Sequence, residues 1–460
     1  MSAAPQIGSF AAPWTKNAPS SWHRTYLGHL VDVRSGATPS KDEPLFWDGE
    51  IPWVSPKDMK VLRIEDSEDH VTEAALSSST LRWVAQGSVL MVTRGMILDH
   101  TVPVALAERP LTINQDMKAL VPRADLRGDF LMWLLVGLNP AILARVEEAA
   151  HGTKALRTEQ WRKLPLAIPP EPLQRRIADF LDRKTAAIDA LIAKKEQLLT
   201  LLAEKRQALV TQAVTKGLDP NAPMKDSDYA ALPAIPRDWQ IVPLRYLLSF
   251  GPRNGISPPS APDRDGVLSF SISAVREGRV TIDGNEKFVD LDRAFARAYW
   301  LAPGDILLMR GNGNLSLVGT CGLVESTPDE CTYPDILMKM RVGRRLLPKF
   351  LVSAINSPYV RGQVETLAKT SNGTFKLSGE DVRTLRIAVP PLEEQERIVA
   401  YLRKEISRLD GVARRVEAMI EKLREYRQAL ITAAVTGKLE VASASPTALT
   451  PSHNAAVEVA

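Results

Sequence analysis

Apolar residues recur at helical spacing along two long stretches of the chain, one central and one near the end. After Pro391, the residues Glu393, Glu394 and Glu396 place negative charge in a first helical turn, where the helix dipole favours it. Apolar positions from Ile398 onward then keep spacings of three, four and seven, which predicts an a/d seam over about four heptads. The central stretch shows the same pattern with lysines intruding. Each helix is predicted to be about 40 residues and roughly 60 Å long.

These two helices are predicted at residues 171–217 and 392–438. Their common pattern predicts that they pack on each other as an antiparallel intramolecular coiled coil. The alternative is that each helix covers only the core of its own globular region, which the length of the helices disfavours. The predicted seam consists of Leu181, Ile188, Leu191, Leu198, Leu202 and Leu209 in the central helix, and of Leu402, Leu409, Val416, Met419, Leu423 and Leu430 in the distal helix.

The remaining chain shows short apolar runs separated by turn residues, which is typical of mixed α/β domains. The sequence therefore predicts two such domains, at residues 21–170 and 237–391. Buried strands are predicted at 88–92 and 305–309, each entered through a glycine turn, final strands at 164–168 and 385–389, and helices at 129–148 and 349–367.

Three segments lack such periodicity. Residues 1–20 and 439–460 are rich in small residues and proline, and we expect them to be flexible or disordered tails. Residues 218–236 contain four prolines, which interrupt a helix and remove backbone donors, so they are predicted to be a linker.

The chain also repeats itself. Residues 152–218 align with 373–439 without a gap at an offset of about 221, and roughly 26 of about 67 positions match. The matches include Gln174 with Gln395. A weaker repeat precedes each copy at an offset of about 217, where Trp22 falls on Trp239. The repeating unit is therefore a variable globular region followed by a matching helix, which indicates a protein that recognises something with two halves.

Composition narrows the class of protein. With 460 residues, 45% hydrophobic and 24% charged, the chain is predicted to form two to three globular domains. The net charge of +4 is too small to indicate nucleic-acid binding by itself. Two cysteines argue against a disulfide framework or structural zinc and are typical of a reducing cytoplasm. Neither a signal peptide nor a membrane-spanning run is predicted, so we expect a cytoplasmic protein.

Motifs that would indicate an enzyme are missing from the sequence. It contains no Walker-type phosphate loop, no complete dinucleotide-binding glycine motif, no clustered metal-ligand spacing and no Glu-x-Lys tripeptide. The tract 310–314 is predicted to be a tight loop. The segment 356–359 superficially resembles the Asn/Asp-Pro-Pro-Tyr/Phe loop of amino-methyltransferases but lacks its first proline, so a helix boundary is predicted there. No catalytic, cofactor-binding or metal-binding residue is therefore predicted.

Polar and basic loop residues at comparable points of both halves predict a recognition surface instead. Arginine can bond guanine, asparagine and glutamine can bond adenine, and loop glycines allow close backbone approach to phosphate. For any one residue a solvated loop position is the plainer interpretation. The candidate DNA-binding residues are Arg94, Asn114, Gln115, Lys118, Thr153 and Lys154 in the first half, and Arg310, Asn312, Asn314, Asn372, Thr374 and Lys376 in the second half.

Both helices begin with Pro-Pro-x-x-x-Gln-x-x-Ile, and the distal helix ends with Gln-Ala-Leu-Ile-Thr-Ala-Ala-Val-Thr-Gly-Lys-Leu. With these motifs, nearly the whole chain resembles the specificity subunits of type I restriction-modification systems. Residues 36–53 and 112–116 are similar to the opening and middle of a target recognition domain in that family. The second half departs at 255–258, which indicates a recognition domain of another subtype.

The resemblance implies a non-catalytic DNA-recognition subunit that binds a bipartite, asymmetric double-stranded target. Each recognition domain would bind one half-site, and the helices would fix the spacer between them and dock modification subunits. S-adenosylmethionine, ATP and magnesium would be carried by the modification and restriction subunits and not by this chain. The alternatives are a methyltransferase or nuclease fused to a coiled coil, and a scaffold that does not touch DNA; a gel shift with the modification partner separates them.

Overall fold

The structure, a computed structural model, describes residues 12–16, 18–148, 152–261, 265–371 and 373–441. The chain forms two compact units. The first combines the described residues up to Lys195 with those from Ala418 onward, and the second runs from Glu196 to Glu417. Each unit contains one globular region together with part of each long helix. The two α/β regions and the long helices agree with the predicted fold class.

The first globular region is built around a five-stranded sheet in the order β2-β9-β6-β7-β4. A three-stranded sheet, β5-β3-β8, and two strand pairs, β1-β12 and β10-β11, surround it. The strands are β1 (His23–Tyr26), β2 (Val31–Ser35), β3 (Trp47–Val54), β4 (Arg63–Ile64), β5 (Asp69–Val71), β6 (Val89–Val92), β7 (Val104–Ala107), β8 (Thr112–Ile113), β9 (Met117–Pro122), β10 (Glu147–Glu148), β11 (Lys154–Ala155) and β12 (Pro165–Ile168). The helices are α1 (Leu27–Leu30), α2 (Glu73–Ser78), α3 (Gly128–Gly137), α4 (Asn139–Leu143), α5 (Thr158–Arg162) and the long helix α6 (Glu171–Lys216).

The second region has a six-stranded sheet in the order β16-β24-β21-β23-β19-β18. Its strands are β13 (Met224–Asp226), β14 (Ala234–Pro236), β15 (Gln240–Pro243), β16 (Leu248–Asn254), β17 (Val267–Phe270), β18 (Val275–Arg276), β19 (Arg279–Val280), β20 (Glu286–Val289), β21 (Ile306–Met309), β22 (Gly311–Asn312), β23 (Cys321–Leu323), β24 (Leu337–Val342), β25 (Lys369–Ser371), β26 (Thr374–Lys376) and β27 (Arg386–Val389). Its helices are α7 (Arg293–Ala296), α8 (Pro348–Ile355), α9 (Pro358–Leu367), α10 (Gly379–Thr384) and the long helix α11 (Leu392–Val435).

The two central sheets share one topology. Strands β2, β9, β6, β7 and β4 correspond in order to β16, β24, β21, β23 and β19, and the last pair is parallel in both sheets. The repeat therefore extends through the globular regions, where the sequence shows only a weak echo. The regions differ in their smaller sheets. The first region contains the three-stranded sheet β5-β3-β8, whereas the second contains the strand pair β17-β20. This difference coincides with the segment where the sequences depart.

The long helices are antiparallel within the first unit. Asp189 of α6 binds Arg427 of α11 with Oδ1 and Nε 2.8 Å apart, while Lys195 Nζ lies 3.5 Å from Met419 Sδ. Residues later in α6 therefore contact residues earlier in α11, which is the antiparallel order. The lengths of 46 and 44 residues correspond to about 65–70 Å.

Three residues of the predicted seam are in fact exposed. Leu191, Leu198 and Met419 are 43%, 40% and 49% exposed. In each case the next residue along the helix (Ile192, Leu199 or Ile420) is the more buried one. Because both neighbours are apolar, the sequence pattern does not distinguish a spacing of three from a spacing of four at these points. Of the other predicted seam residues, Leu181, Ile188, Leu402, Leu409 and Val416 are buried, and Leu202, Leu209, Leu423 and Leu430 are partly buried.

A buried glutamine anchors the start of each long helix. Gln174 accepts a hydrogen bond from Arg127 N (2.9 Å) and donates to the carbonyls of Asp125 (2.7 Å) and Pro169 (3.0 Å). In the second unit, Gln395 makes the same three bonds, to Leu347 N, Arg345 O and Pro390 O, at 2.8, 3.0 and 2.9 Å. The repeated glutamine therefore fixes each helix to the loop that precedes helix α3 or α8.

The far ends of the helices are also fixed in the same way. α6 ends before Gly217 and α11 ends shortly before Gly437, and both glycines have φ near +75°. A Cβ at Gly217 would lie 3.4 Å from the Trp239 ring, and one at Gly437 would lie 3.2 Å from the Trp22 ring. The positive φ and the close tryptophan both favour glycine at these two positions.

The predicted linker, and the described residues of the predicted tails, are more structured than expected. Residues 218–236 contain the hairpin β13-β14, and Leu232 and Ile235 pack into the second core. Prolines are tolerated there because they stand outside the strands or at a strand end. In the first tail, residues 12–16 contact the first region, and Trp14 Nε1 donates to Pro165 O at 2.8 Å. Leu439 packs against the same core. Residues 1–11 and 442–460 lie outside the described residues.

Candidate nucleic-acid interface

The candidate residues of the first half meet at one end of the five-stranded sheet. Val92, the last residue of β6, pairs with Met117 at the start of β9, so Arg94 lies beside the 114–116 loop. Arg94 N donates to Asp116 O at 3.2 Å, and Gly95 N donates to Lys154 O at 3.0 Å. We call this group the first strand-end surface; it consists of Arg94, Asn114, Gln115, Lys118, Thr153 and Lys154.

The second half gathers its candidates at the corresponding end of its sheet. Met309 pairs with Leu337, and the next residue, Arg310, donates from its backbone N to Ile336 O at 2.9 Å. Strand β22 then pairs with β26, so Asn312 lies opposite Phe375. The second strand-end surface consists of Arg310, Asn312, Asn314, Thr374 and Lys376. Asn372, the remaining candidate, lies outside the described residues.

One cross-strand pair carries a basic side chain in both surfaces. In the first, Arg94 pairs with Ala155, and in the second Gly311 pairs with Lys376. The basic residue therefore lies on opposite strands of this pair in the two regions, at the same place in the fold. Gly311 makes room for it, because a Cβ there would lie 3.2 Å from Lys376 Cγ. The structural equivalent of Arg94 is thus Gly311, and Arg310 stands one residue earlier.

Neither basic side chain is neutralised within the part of the chain that the structure describes. Arg94 and Lys376 are both exposed, and they make no side-chain hydrogen bond or ion pair to another described residue. Arg310 is half-buried, and its Nε is buried without a hydrogen-bond partner there. Three cations at the two strand ends are therefore free to bind an anionic or acceptor-rich ligand.

Other candidates of the first surface are already engaged. Asn114 is buried, and its Oδ1 accepts from Asp116 N at 3.0 Å, which shapes the loop. Lys118 Nζ donates to Ser35 Oγ at 2.8 Å, and Gln115 accepts a hydrogen bond from Thr38 Oγ1. Lys154 lies 3.2 Å from Glu148 and 3.4 Å from Asp99; the hydrogen bond to Glu148 is the main cause of its raised pKa. Only Gln115 among these four is well exposed.

In the second surface the two asparagines shape the loop. Asn312 Oδ1 accepts from Asn314 N at 2.9 Å, and Asn314 Oδ1 accepts from Ser316 N at 3.0 Å. Asn314 thereby caps the 3-10 turn Leu315–Leu317. Asn312 also lines a cleft of about 1170 Å³ in the second unit, whose charged residues are of both signs: Arg206, Arg276, Arg361 and Arg414 with Glu277, Asp410 and Glu417.

Sequence reasoning missed a pair of asparagines that hold the hairpin loops next to these surfaces. Asn139 Oδ1 accepts from Val102 N at 3.3 Å, and its Nδ2 donates to Val102 O at 2.6 Å. Asn356 makes the same two bonds to Cys321, at 3.1 and 2.9 Å. The sequence contains a signal for this pair, because Asn139 and Asn356 are 217 residues apart, the same offset that separates Trp22 from Trp239. Asn356 also ends α8, so the predicted helix boundary at 356–359 is confirmed.

The second region buries further charge away from its strand-end surface. Lys339 is 3% exposed, its Nζ donates to Trp300 O at 2.8 Å, and burial lowers its pKa. Asp305 is fully buried and binds Arg341. The matching position of Lys339 in the first sheet is Ala119, since each pairs with the second residue of β21 or β6. These charges organise the interior of one region only.

No group of three or more His, Cys, Asp or Glu side chains is arranged as a metal site among the described residues. Within the same residues, no helix is both long and apolar enough to cross a bilayer.

Comparison with known proteins finds similarity to one group of proteins. The model of the type I restriction modification DNA specificity domain matches residues 19–201. The EcoKI specificity subunit of Escherichia coli K12 is 28% identical over 278 residues, covering 60% of this chain and 57% of that protein. The EcoR124I/EcoR124II specificity subunit of Escherichia coli is 32% identical over 158 residues, covering 34% and 39%. Over these segments the chain is similar to the specificity subunits of type I restriction-modification systems. The alignments span 57% and 39% of the lengths of these two relatives.

Solved structures agree on the fold of the family. A chain from a type I restriction-modification assembly has a TM-score of 0.69 at 16% identity, and the match covers 92% of this chain and 99% of that one. The HsdS subunit of Thermoanaerobacter tengcongensis has a TM-score of 0.50 at 16% identity, covering 92% and 98%. At this identity the likeness concerns the fold.

Proposed function

We propose that the chain is the non-catalytic DNA-recognition subunit of a type I restriction-modification complex. It binds a bipartite, asymmetric target in double-stranded DNA, and each globular region contacts one half-site. The observation that carries this proposal is the basic residue on one cross-strand pair of both regions, Arg94 in the first and Lys376 in the second, with no neutralising partner among the described residues.

The differences between the two surfaces support an asymmetric target. Both sheets share one topology, yet the basic residue stands on opposite strands of the pair, and only the second surface adds Arg310. Arginine and lysine bond guanine O6 and N7 in the major groove or bind phosphate, and either contact needs an unpaired cation. Central sheets of one topology that carry different contact residues are suited to two different half-sites.

The catalytic steps are assigned to partner subunits. Modification subunits would bring S-adenosylmethionine and methylate adenine, and restriction subunits would bring ATP and magnesium. We propose that the two long helices dock the modification subunits. The complex would act in the cytoplasm, where its DNA lies.

The test replaces each basic residue separately in the assembled modification complex. Arg94→Ala is expected to weaken or relax recognition of one half-site, and Lys376→Ala to do so at the other. A base contact predicts a loss of about 1–3 kcal/mol confined to one position, whereas a phosphate contact predicts uniform weakening with a smaller salt slope. Binding to mapped and scrambled duplexes at stated salt measures both.

Matched controls come from the opposite ends of the same sheets. Arg109 and Arg344 are exposed arginines there, and Arg109→Ala and Arg344→Ala are expected to leave binding unchanged. If the controls weakened binding as much as Arg94→Ala and Lys376→Ala, the strand-end surfaces would not be the DNA interface. If the wild-type complex did not prefer its mapped site over scrambled DNA, the proposed function would be wrong.

A further inference from the structure

Each strand-end surface is flanked by exposed apolar side chains that neither core uses. The hairpin loops after β6 and β21 have the same length, residues 93–103 and 310–320, and each contains a 3-10 turn. In the first loop the turn is Met96–Asp99, where Met96 is 61% and Ile97 41% exposed. In the second it is Leu315–Leu317, where Leu317 is 42% exposed.

Side chains from the following helices bind the backbone of both loops. The asparagine contacts described above fix each loop at its far end, Asn139 to Val102 and Asn356 to Cys321. In the second loop, the Arg361 guanidinium also donates to the carbonyls of Leu315 (3.2 Å), Ser316 (3.1 Å) and Val318. An arginine held on three carbonyls keeps the turn in one conformation while Leu317 stays in solvent. An exposed apolar residue on a rigid turn is suited to contact an external group.

The surroundings of the turns favour DNA as that external group. Met96 and Ile97 follow the unpaired Arg94 by two and three residues, and Leu317 lines the same cleft as Asn312. The one acidic residue of the first turn, Asp99, lies 3.4 Å from Lys154, which offsets its repulsion of phosphate. The feature also occurs in both halves although their loop sequences differ. Apolar side chains that approach base edges in the major groove contact the 5-methyl group of thymine.

We infer that Met96 with Ile97 in the first region, and Leu317 in the second, contact thymine 5-methyl groups in their respective half-sites. This inference rests on the proposed function and adds residues that specify an A·T pair next to the basic contact. Burial of one methyl group changes affinity by about four-fold, which gives the expected size of each contact.

The experiment uses the full chain in complex with its modification partner and the site mapped by methylation sequencing. Each thymine of a half-site is replaced in turn by deoxyuridine, which lacks only the 5-methyl group. At least one replacement in the first half-site is expected to weaken wild-type binding about four-fold. The double variant Met96→Ala/Ile97→Ala is expected to bind the thymine and deoxyuridine duplexes equally. Leu317→Ala is expected to abolish the effect only in the second half-site, so each variant is the control for the other.

Several results would overturn the inference. One is that no thymine in a half-site is sensitive to loss of its methyl group. Another is that the sensitivity persists in the alanine variants, so that another group makes the contact. An increase of 2-aminopurine fluorescence beside the contacted step, without any methyl sensitivity, would show that the apolar residues insert between bases instead. In all these cases a retained preference for the mapped site leaves the proposed function standing, and loss of that preference in the wild type refutes the function itself.

Discussion

Because buried glutamines anchor the long helices, we expect their replacement to lower the free energy of unfolding. Gln395 is completely buried and satisfies one N–H and two carbonyls, those of Leu347, Arg345 and Pro390. Gln395→Met keeps the volume of the side chain and leaves all three groups without a partner. At about 1 kcal/mol for each hydrogen bond that is lost, the second unit is expected to lose about 3 kcal/mol.

Hydrogen exchange followed by mass spectrometry measures this loss where it occurs. Peptides covering residues 345–350 and the first turns of α11 are expected to exchange roughly 100-fold faster in Gln395→Met, the factor that corresponds to about 3 kcal/mol. Gln174→Met is expected to have the same effect in the first unit. Gln207 is an exposed glutamine of α6, so Gln207→Met is a control that should change stability by less than about 0.5 kcal/mol.

Exchange in Gln395→Met equal to that of the wild type and of Gln207→Met would show that the glutamine contacts do not anchor the helix. Equal acceleration in both units would also contradict this anchoring, because the three partners of Gln395 all belong to the second unit. A thermal scan gives a second reading, with an expected fall of about 6–12 °C in the midpoint of the second unit.

Three further predictions concern the seam, the loop contact and the thiols. Ile420→Asp buries a carboxylate in the seam and is expected to cost about 3 kcal/mol or more, while Met419→Asp on the exposed neighbour changes stability by less than about 0.5 kcal/mol in urea titrations. Asn356→Ala frees the backbone of Cys321 and is expected to raise amide exchange in residues 310–320 with little effect on the first unit. Burial raises the pKa of the Cys331 thiol to about 11 and that of Cys321 further, so Ellman's reagent is expected to label both only after unfolding.

The sequence was sufficient for the elements with strong periodicity. Helices α6 and α11 begin where proline and the acidic first turn predict, and strands β6, β12, β21 and β27 are the apolar runs bounded by glycine or proline. The internal repeat also identified Gln174 and Gln395 before their contacts were known. These features depend on residues close together in the chain, which a linear pattern records.

The features that sequence analysis missed depend on pairing between distant segments. Nothing local shows that Lys376 occupies the place of Arg94, because the correspondence exists only through the β22-β26 pair. Asn114 and Asn312 are predicted to contact DNA from their residue type and loop position, and the pattern does not show that both also accept backbone hydrogen bonds within their own loops. The β13-β14 hairpin was missed because its prolines indicate a linker unless the strand ends are known.

A domain exchange read out by methylation shows directly whether each globular region recognises its own half-site. Residues 237–391 are replaced by the second recognition domain of another family member, and the methylated sites of the host genome are mapped by methylation-sensitive sequencing. If the two regions recognise DNA independently, one half-site changes to that of the donor while the other half-site keeps its sequence. A simultaneous change of both half-sites, or an unchanged target in an active complex, would contradict independent recognition.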